Sequence, residues 1–141
     1  MKLLVVGGAG YIGSHIVFDA LERGYEVTVF DNLTTGSKKN LSNAAKFIKG
    51  TTLSTSDLLS LFESDNFDCV IHLAANKAAG ESMLQPSKYA TNNITGSINL
   101  INFCVNYQIS SFIFSSSAAV YGVPEYTPID ESHSVIPNNY Y

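Results

Sequence analysis

Three glycines spaced three apart, Gly7, Gly10 and Gly13, lie between the apolar run LLVV and a segment of helical period. After a strand and before a helix, this spacing can cradle the diphosphate of a dinucleotide. Gly7 permits the tight turn, Gly10 lets a pyrophosphate approach the backbone, and Gly13 lets the helix pack close to the strand. The free N–H groups of the helix's first turn then face the phosphates. Taken alone, such a triplet serves equally well as a flexible turn. Asp31 stands 18 residues beyond Gly13, at the end of the second apolar run. A carboxylate there can accept hydrogen bonds from an adenosine ribose, its plainer alternative being a helix cap or turn residue. It repels a 2′-phosphate, and the nearest base, Lys38, lies several residues on, so NAD is favoured over NADP.

Other residues with chemical potential read more plainly. Lys77 suits a solvated loop charge, and Ser115, Ser116 and Ser117 suit turn residues that satisfy backbone after a strand. His15 and His72 read as structural, with no partner suggesting nucleophile or metal chemistry. Cys69 and Cys104 are 35 positions apart, without metal-ligand spacing, and both fall in apolar runs. They read as buried thiols in a reducing cytoplasm.

These residues need a scaffold, and the chain alternates short apolar runs with helical segments. KLLVV (2–6), EVTVFD (26–31), DCVIHLA (68–74) and SSFIFSS (110–116) read as buried strands, with AKFIKG (45–50) a weaker one. Ile12, Ile16 and Ala20, with Val17 and Leu21, mark one face of a first helix that Gly24 stops. Leu58, Leu61 and Phe62 mark a shorter helix from about Ser56. Pro86 opens a longer one whose predicted buried stripe is Ile94, Ile98, Ile101 and Val105. Gly96 inside it costs about 1 kcal/mol against Ala, which points to close backbone packing. Tyr89 and Tyr107 read as helix packing. The pattern predicts an α/β fold, a doubly wound parallel sheet of the Rossmann type, unfinished after the fifth strand region. After Tyr121 it dissolves into turns.

Bulk properties limit the partners. The 141 residues suffice for one domain with a real core. A formal charge of −4 with eight Lys and Arg argues against nucleic acid. No run approaches the roughly 20 apolar residues of a membrane span, and LLVV is too short for a signal peptide.

With these motifs in view, the sequence resembles the extended short-chain dehydrogenase/reductase family, and within it the UDP-glucose 4-epimerase branch. The stretches that carry the likeness are GGAGYIGSH (7–15), DNL (31–33), HLAANKAAGES (72–82), NNITG (92–96) and FSSSAAVYG (114–122). The resemblance implies that Gly7, Gly10, Tyr11, Ile12 and Gly13 lie along the pyrophosphate. It implies that Asp31 and Asn32 hold the adenosine ribose, with Leu33 beside them. Leu73, Ala74 and Ala75 border the cofactor, and Lys77 reaches the nicotinamide-side ribose or phosphate. Asn92 and Ser115 sit near the same cleft, and Ser117 contacts a sugar hydroxyl.

The same resemblance makes Tyr141, 24 residues after Ser117, the catalytic tyrosine of a Tyr-x-x-x-Lys motif, with Tyr140 the fallback. A free phenol titrates near 10, so forming phenolate at neutral pH costs about 4 kcal/mol, which the family offsets with the neighbouring lysine and the cofactor charge. The implied reaction removes the sugar's 4-hydroxyl proton, passes hydride from C4 to NAD, and returns it to the other face of a 4-keto sugar. UDP-sugar is then the substrate, and a homodimer the expected assembly. The paired lysine falls beyond residue 141. The expectation is therefore an NAD-binding domain incomplete at its carboxyl end, lacking the substrate domain, self-associating and inactive alone. Three departures point to weaker binding: Val6 where the family has Thr, Thr51 where an aspartate accepts from the adenine amine, and Ala119 in place of a hydroxyl residue. The alternatives are another nucleotide-sugar epimerase or dehydratase, and a non-catalytic NAD-binding relic.

Overall fold

The computed structural model describes residues 1–141. Five strands form it: β1 (Lys2–Val6), β2 (Glu26–Asp31), β3 (Lys46–Lys49), β4 (Cys69–His72) and β5 (Ser111–Phe114). All pair in parallel, in the order β3-β2-β1-β4-β5. Strand order reverses at β1, so its carboxyl end opens onto the crevice where such sheets hold ligands. The weak candidate at 45–50 is thus a real edge strand.

Alternate side chains of β1 feed two cores, as a strand buried on both faces requires. Leu3 and Val5 join Val17 and Ala20 of α1 (Tyr11–Glu22), with Val27, Val29 and Cys69. Leu4 and Val6 join Leu58, Leu61 and Phe62 of α2 (Thr55–Glu63), with Leu100 and Cys104 on the other face. Each fully buried Leu contributes roughly 1.5–3 kcal/mol by leaving water.

Local chemistry fixes the helix ends. α1 ends where Gly24 takes φ +80, its N–H bonding to the Leu21 carbonyl while Tyr25 N–H reaches Ala20. α2 starts at Ser54, whose Oγ accepts from Asp57 N–H at 3.1 Å. Between β4 and β5 the chain is more broken than its sequence predicts. A short α3 (Ala79–Leu84) comes first, then α4 (Pro86–Tyr89), a π-helical stretch (Ala90–Thr95) and α5 (Gly96–Asn106).

Three burial expectations are corrected. Ile94, Ile98, Ile101 and Val105 do not face the core; they are 42–70% exposed. The buried stripe of α5 is Gly96, Leu100 and Cys104, four residues apart and turned toward α2 and the sheet. Gly96 does pack closely, since a Cβ there would lie 2.5 Å from Thr52 Oγ1. Likewise β5 is largely exposed, Ile113 and Phe114 included, because it is the sheet's edge strand and only its Phe112 packs against the core. On α1, Ile12 is also exposed, and Gly13, Ser14, Val17 and Ala20 form the buried face. After the 3-10 turn Ala118–Tyr121 no regular element follows, as the turn-rich sequence predicts.

Candidate functional site

The carboxyl ends of five parallel strands share one rim, and the glycine loop occupies its centre. Gly7 has φ +86, and a Cβ on it would fall 2.6 Å from the Ala74 nitrogen. The turn after β1 and the segment after β4 can approach this closely only because residue 7 is glycine. At Gly13 a Cβ would meet the Gly7 carbonyl oxygen at 2.3 Å, so loop and helix are equally intolerant of a side chain there. Gly10 differs: its only close neighbour would be that same oxygen at 3.4 Å, which leaves its outer side open. No side chain caps α1, and its first turn holds no acid. Its first N–H groups therefore present positive charge to the rim, beside exposed Tyr11 and Ile12.

Asp31 is buried and serves the loop directly. Its Oδ2 accepts from Ala9 N–H at 3.0 Å and its Oδ1 from Leu33 N–H at 2.7 Å. Two of a carboxylate's roughly four acceptor positions remain for an outside donor. The turn-residue reading and the ribose reading are therefore compatible. Leu33 takes φ +61, and Asn32 Oδ1 accepts from Thr34 N–H at 2.9 Å, so residues 31–34 form one tight corner. Thr51 lies on the next strand's rim, its N–H donating to Asp57 Oδ2 at 3.0 Å and its Oγ1 accepting from Leu53 N–H at 3.3 Å.

Leu73 continues the β4 ladder through its N–H to the Val6 carbonyl, and Ala74 and Ala75 follow it outward. Lys77 is exposed. Asn92 is half-buried, its Nδ2 donating to Asn93 Oδ1 at 2.8 Å. Ser115 N–H bonds to the His72 carbonyl, which extends β5 by one ladder step. Ser117 Oγ accepts from Ala119 N–H at 3.1 Å, and its own hydroxyl hydrogen stays free to donate.

Ser117 and Tyr141 share a cavity. With Ala119, Val120, Pro137, Asn139 and Tyr140 they line a cavity of about 210 Å³ at the end of β5. Tyr141 is held by its N–H to Asn139 Oδ1 at 3.0 Å and is half-buried, whereas Tyr140 is mostly exposed. Gly122 anchors the returning loop, because a Cβ there would meet the Ile136 carbonyl.

His72, the last residue of β4, is 2% exposed between Phe112, Phe114 and Ser97. Ser97 Oγ donates its hydrogen to the Asn93 carbonyl at 2.5 Å, so His72 Nε2 must donate to Ser97 Oγ across 2.8 Å. Nδ1 then carries a bare lone pair with no partner. Burial pushes the His72 pKa down to about 4. It is a neutral structural histidine, as its sequence suggests. Two residues that sequence reasoning did not single out as functional, Asn93 and Tyr89, reach the segment after β4. Nothing in a helical stretch distinguishes them from ordinary packing or surface residues.

A parallel sheet in this order, with a glycine turn at the reversal point and an uncapped helix start, defines a Rossmann-type dinucleotide fold. The sequence profile of the NAD dependent epimerase/dehydratase family matches residues 3–141, and the chain belongs to that family. It is 45% identical over 142 residues to UDP-glucose 4-epimerase of Pasteurella multocida, covering 96% of this chain and 42% of that protein. With the Bacillus subtilis UDP-glucose 4-epimerase it is 44% identical over 149 residues, covering 100% of this chain and 44% of that one. A crystal structure of UDP-glucose 4-epimerase from Brucella ovis in complex with NAD superposes with a TM-score of 0.95. That pair is 40% identical, with 99% of this chain and 43% of the other covered. The chain therefore spans about two fifths of the length of the relatives it matches.

Proposed function

We propose that residues 1–141 are the NAD-binding unit of a UDP-glucose 4-epimerase. The observation that carries this is Ser117 and Tyr141 lining one cavity on the rim that the glycine loop also occupies. The rim fits the dinucleotide. Its turn approaches Ala74 too closely for any Cβ, Gly10 faces outward unobstructed, and the start of α1 lacks a side-chain cap.

In this reading Gly7, Gly10, Tyr11, Ile12 and Gly13 hold the diphosphate with backbone N–H groups. Asp31 and Asn32 take the adenosine ribose, beside Leu33. Thr51 meets the adenine, while Leu73, Ala74, Ala75, Lys77, Asn92 and Ser115 line the nicotinamide half. When bound, NAD supplies a reversible hydride acceptor for C4 of the sugar. Tyr141 takes the 4-hydroxyl proton, and the uncommitted hydrogen of Ser117 orients that hydroxyl. The cysteines, free and buried, suit a reducing cytoplasm. No helix is long and apolar enough to cross a membrane. The exposed stripe Ile94, Ile98, Ile101 and Val105 is the surface through which two copies associate.

Thr51 makes adenine recognition weak. Its Oγ1 already accepts from Leu53 and it carries no charge, so its hydrogen bond to a ligand is about half as strong as a carboxylate's. The 141-residue chain alone is expected to bind NAD weakly and to leave UDP-glucose and UDP-galactose unchanged. Sequencing the encoding DNA for a lysine four codons past Tyr141 checks the motif. In the intact protein, Tyr141→Phe should hold NAD affinity within about twofold while interconversion falls at least about a hundredfold, since the proton acceptor is gone. Full activity in that variant would refute the assignment.

A further inference from the structure

One helical row answers the last side chain of β4 and the backbone of the segment that follows it. Tyr89, Asn93 and Ser97 are four apart, and they reach Ala78, Asn76 and His72 respectively. Eight residues of α-helix would swing such a row through about 80°. The wider winding of the π-helical stretch Ala90–Thr95 lies within that interval and resets its phase. From these contacts we infer that Asn93, supported by Tyr89, is the positioning residue that fixes Lys77 and Asn92 on the rim. The inference rests on the NAD-binding reading above.

Asn93 grips the segment at two points. Its Oδ1 accepts from Asn76 N–H at 2.8 Å, and its Nδ2 donates to the Asn76 carbonyl at 2.9 Å. The same Oδ1 accepts from Asn92 Nδ2 at 2.8 Å. A single amide therefore orients both neighbours. On the far side of Lys77, Ala78 N–H donates to Tyr89 Oη at 3.2 Å. That hydroxyl is fixed in turn by donating to Glu81 Oε2 at 2.7 Å, while Lys88 holds Oε1 at 2.7 Å. The residues before and after Lys77 are thus pinned by side chains from one helical segment, and Lys77 itself is left exposed. A lysine head on a four-carbon stem loses much rotamer entropy on binding. Anchoring its Cα reduces what remains to be ordered, which is how an exposed lysine becomes an effective contact.

The test uses the full chain with Asn93→Ala and Asn93→Asp, and Asn99→Ala as a control. Asn99 makes a comparable bond from α5, to the Thr52 carbonyl at 3.0 Å, away from this segment. Amide exchange at Asn76 and Ala78 is followed by NMR, and dissociation constants are measured for NAD and for AMP. In Asn93→Ala, Asn76 exchange should rise at least about tenfold and the NAD constant at least about fivefold, with AMP within about twofold. Such a split between the two halves of the ligand marks positioning, since a general loss of structure weakens both. Asn93→Asp keeps the acceptor and loses the donor, so it should fall between; it also carries the test where the Ala variant fails to fold. Asn99→Ala should leave all three values unchanged. Unaltered Asn76 exchange in Asn93→Ala, or equal weakening of NAD and AMP, overturns the inference. Should the parent chain bind no NAD, the proposed function fails while the exchange result still decides whether Asn93 holds the segment.

Discussion

Lowering the pH from 7.5 to 5.0 should remove about 2 kcal/mol of folding stability through one side chain, His72. An ordinary histidine takes up its proton near 6.5, and in the unfolded chain His72 does the same. In the folded chain its pKa is about 4, because burial disfavours the charged ring. Its only ring partner is Ser97, and Nδ1 has none, so a second proton would be buried without an acceptor. Between those two values the unfolded state binds the extra proton and the folded state does not. The stabilisation is thus complete above pH 6.5 and is lost progressively as pH falls toward 4. Each pH unit below 6.5 is worth about 1.4 kcal/mol, and 1.5 units give the 2 kcal/mol. Urea titration followed by circular dichroism reads this as a midpoint lower by about 1 M, for an m-value near 2 kcal/mol/M. His72→Gln keeps an N–H for Ser97 and cannot titrate in this range. It should be less stable at pH 7.5, yet lose about 2 kcal/mol less than the parent on acidification. The other two histidines, His15 and His133, are common to both proteins and cancel in the comparison. Parallel loss in parent and variant would refute the reasoning, as would an NMR titration of the folded His72 ring near pH 6.5.

Three further outcomes test the geometry. Gly7→Ala should cost about 3 kcal/mol or more, since left-handed φ is compounded by overlap with Ala74; Gly24→Ala, with similar φ and open space around it, should cost about 1–2 kcal/mol. Equal losses in denaturant titration would mean the close approach to β4 is unimportant. Leu100→Ala should destabilise by about 2–5 kcal/mol and Ile101→Ala by less than about 1, because Leu100 is buried and Ile101 faces out; the reverse order would restore the stripe predicted from sequence. Ile98→Glu should shift light-scattering mass from dimer to monomer at unchanged secondary structure, and a parent chain that is monomeric at high concentration would remove the proposed interface.

Much of the architecture could be read before any coordinates. Val-rich runs identified β1 and β2, the spacing of Gly7, Gly10 and Gly13 located the rim's centre, and Asp31 ends β2 as expected. The failures share a physical cause. The π-helical stretch and α5 together carry apolar residues on two faces, Ile94/Ile98/Ile101/Val105 and Gly96/Leu100/Cys104, and periodicity reports only that apolar faces exist. Which one meets the sheet was decided by size. Gly96 admits Thr52 at a distance no larger residue allows, so the smaller stripe packs inward and the isoleucines are left outside. β5 misled for a related reason, since an edge strand can carry the apolar composition of a buried one.

The polar row was illegible for a deeper reason. Asn93 and Ser97 are residues that a helix ordinarily turns to water, Tyr89 reads only as helix packing, and no local rule predicts that all three aim a polar atom at one neighbouring segment. The requirement originates in the partner segment. Once β4 ends, the backbone of residues 73–78 has no neighbouring strand to pair with along its full length, and its partly buried N–H and C=O groups still gain from fixed partners. The segment passes close to Gly7 at Ala74, and further along, at Asn76 and Ala78, the adjacent helix supplies partners from its side chains. The placement of the rim and the polarity of the helix facing it are therefore one constraint. Gly7→Ala, which forces the segment after β4 to shift at Ala74, should also disturb the hold of Asn93 on it, and a double-mutant cycle with Asn93→Ala is expected to show coupling of at least about 0.5 kcal/mol.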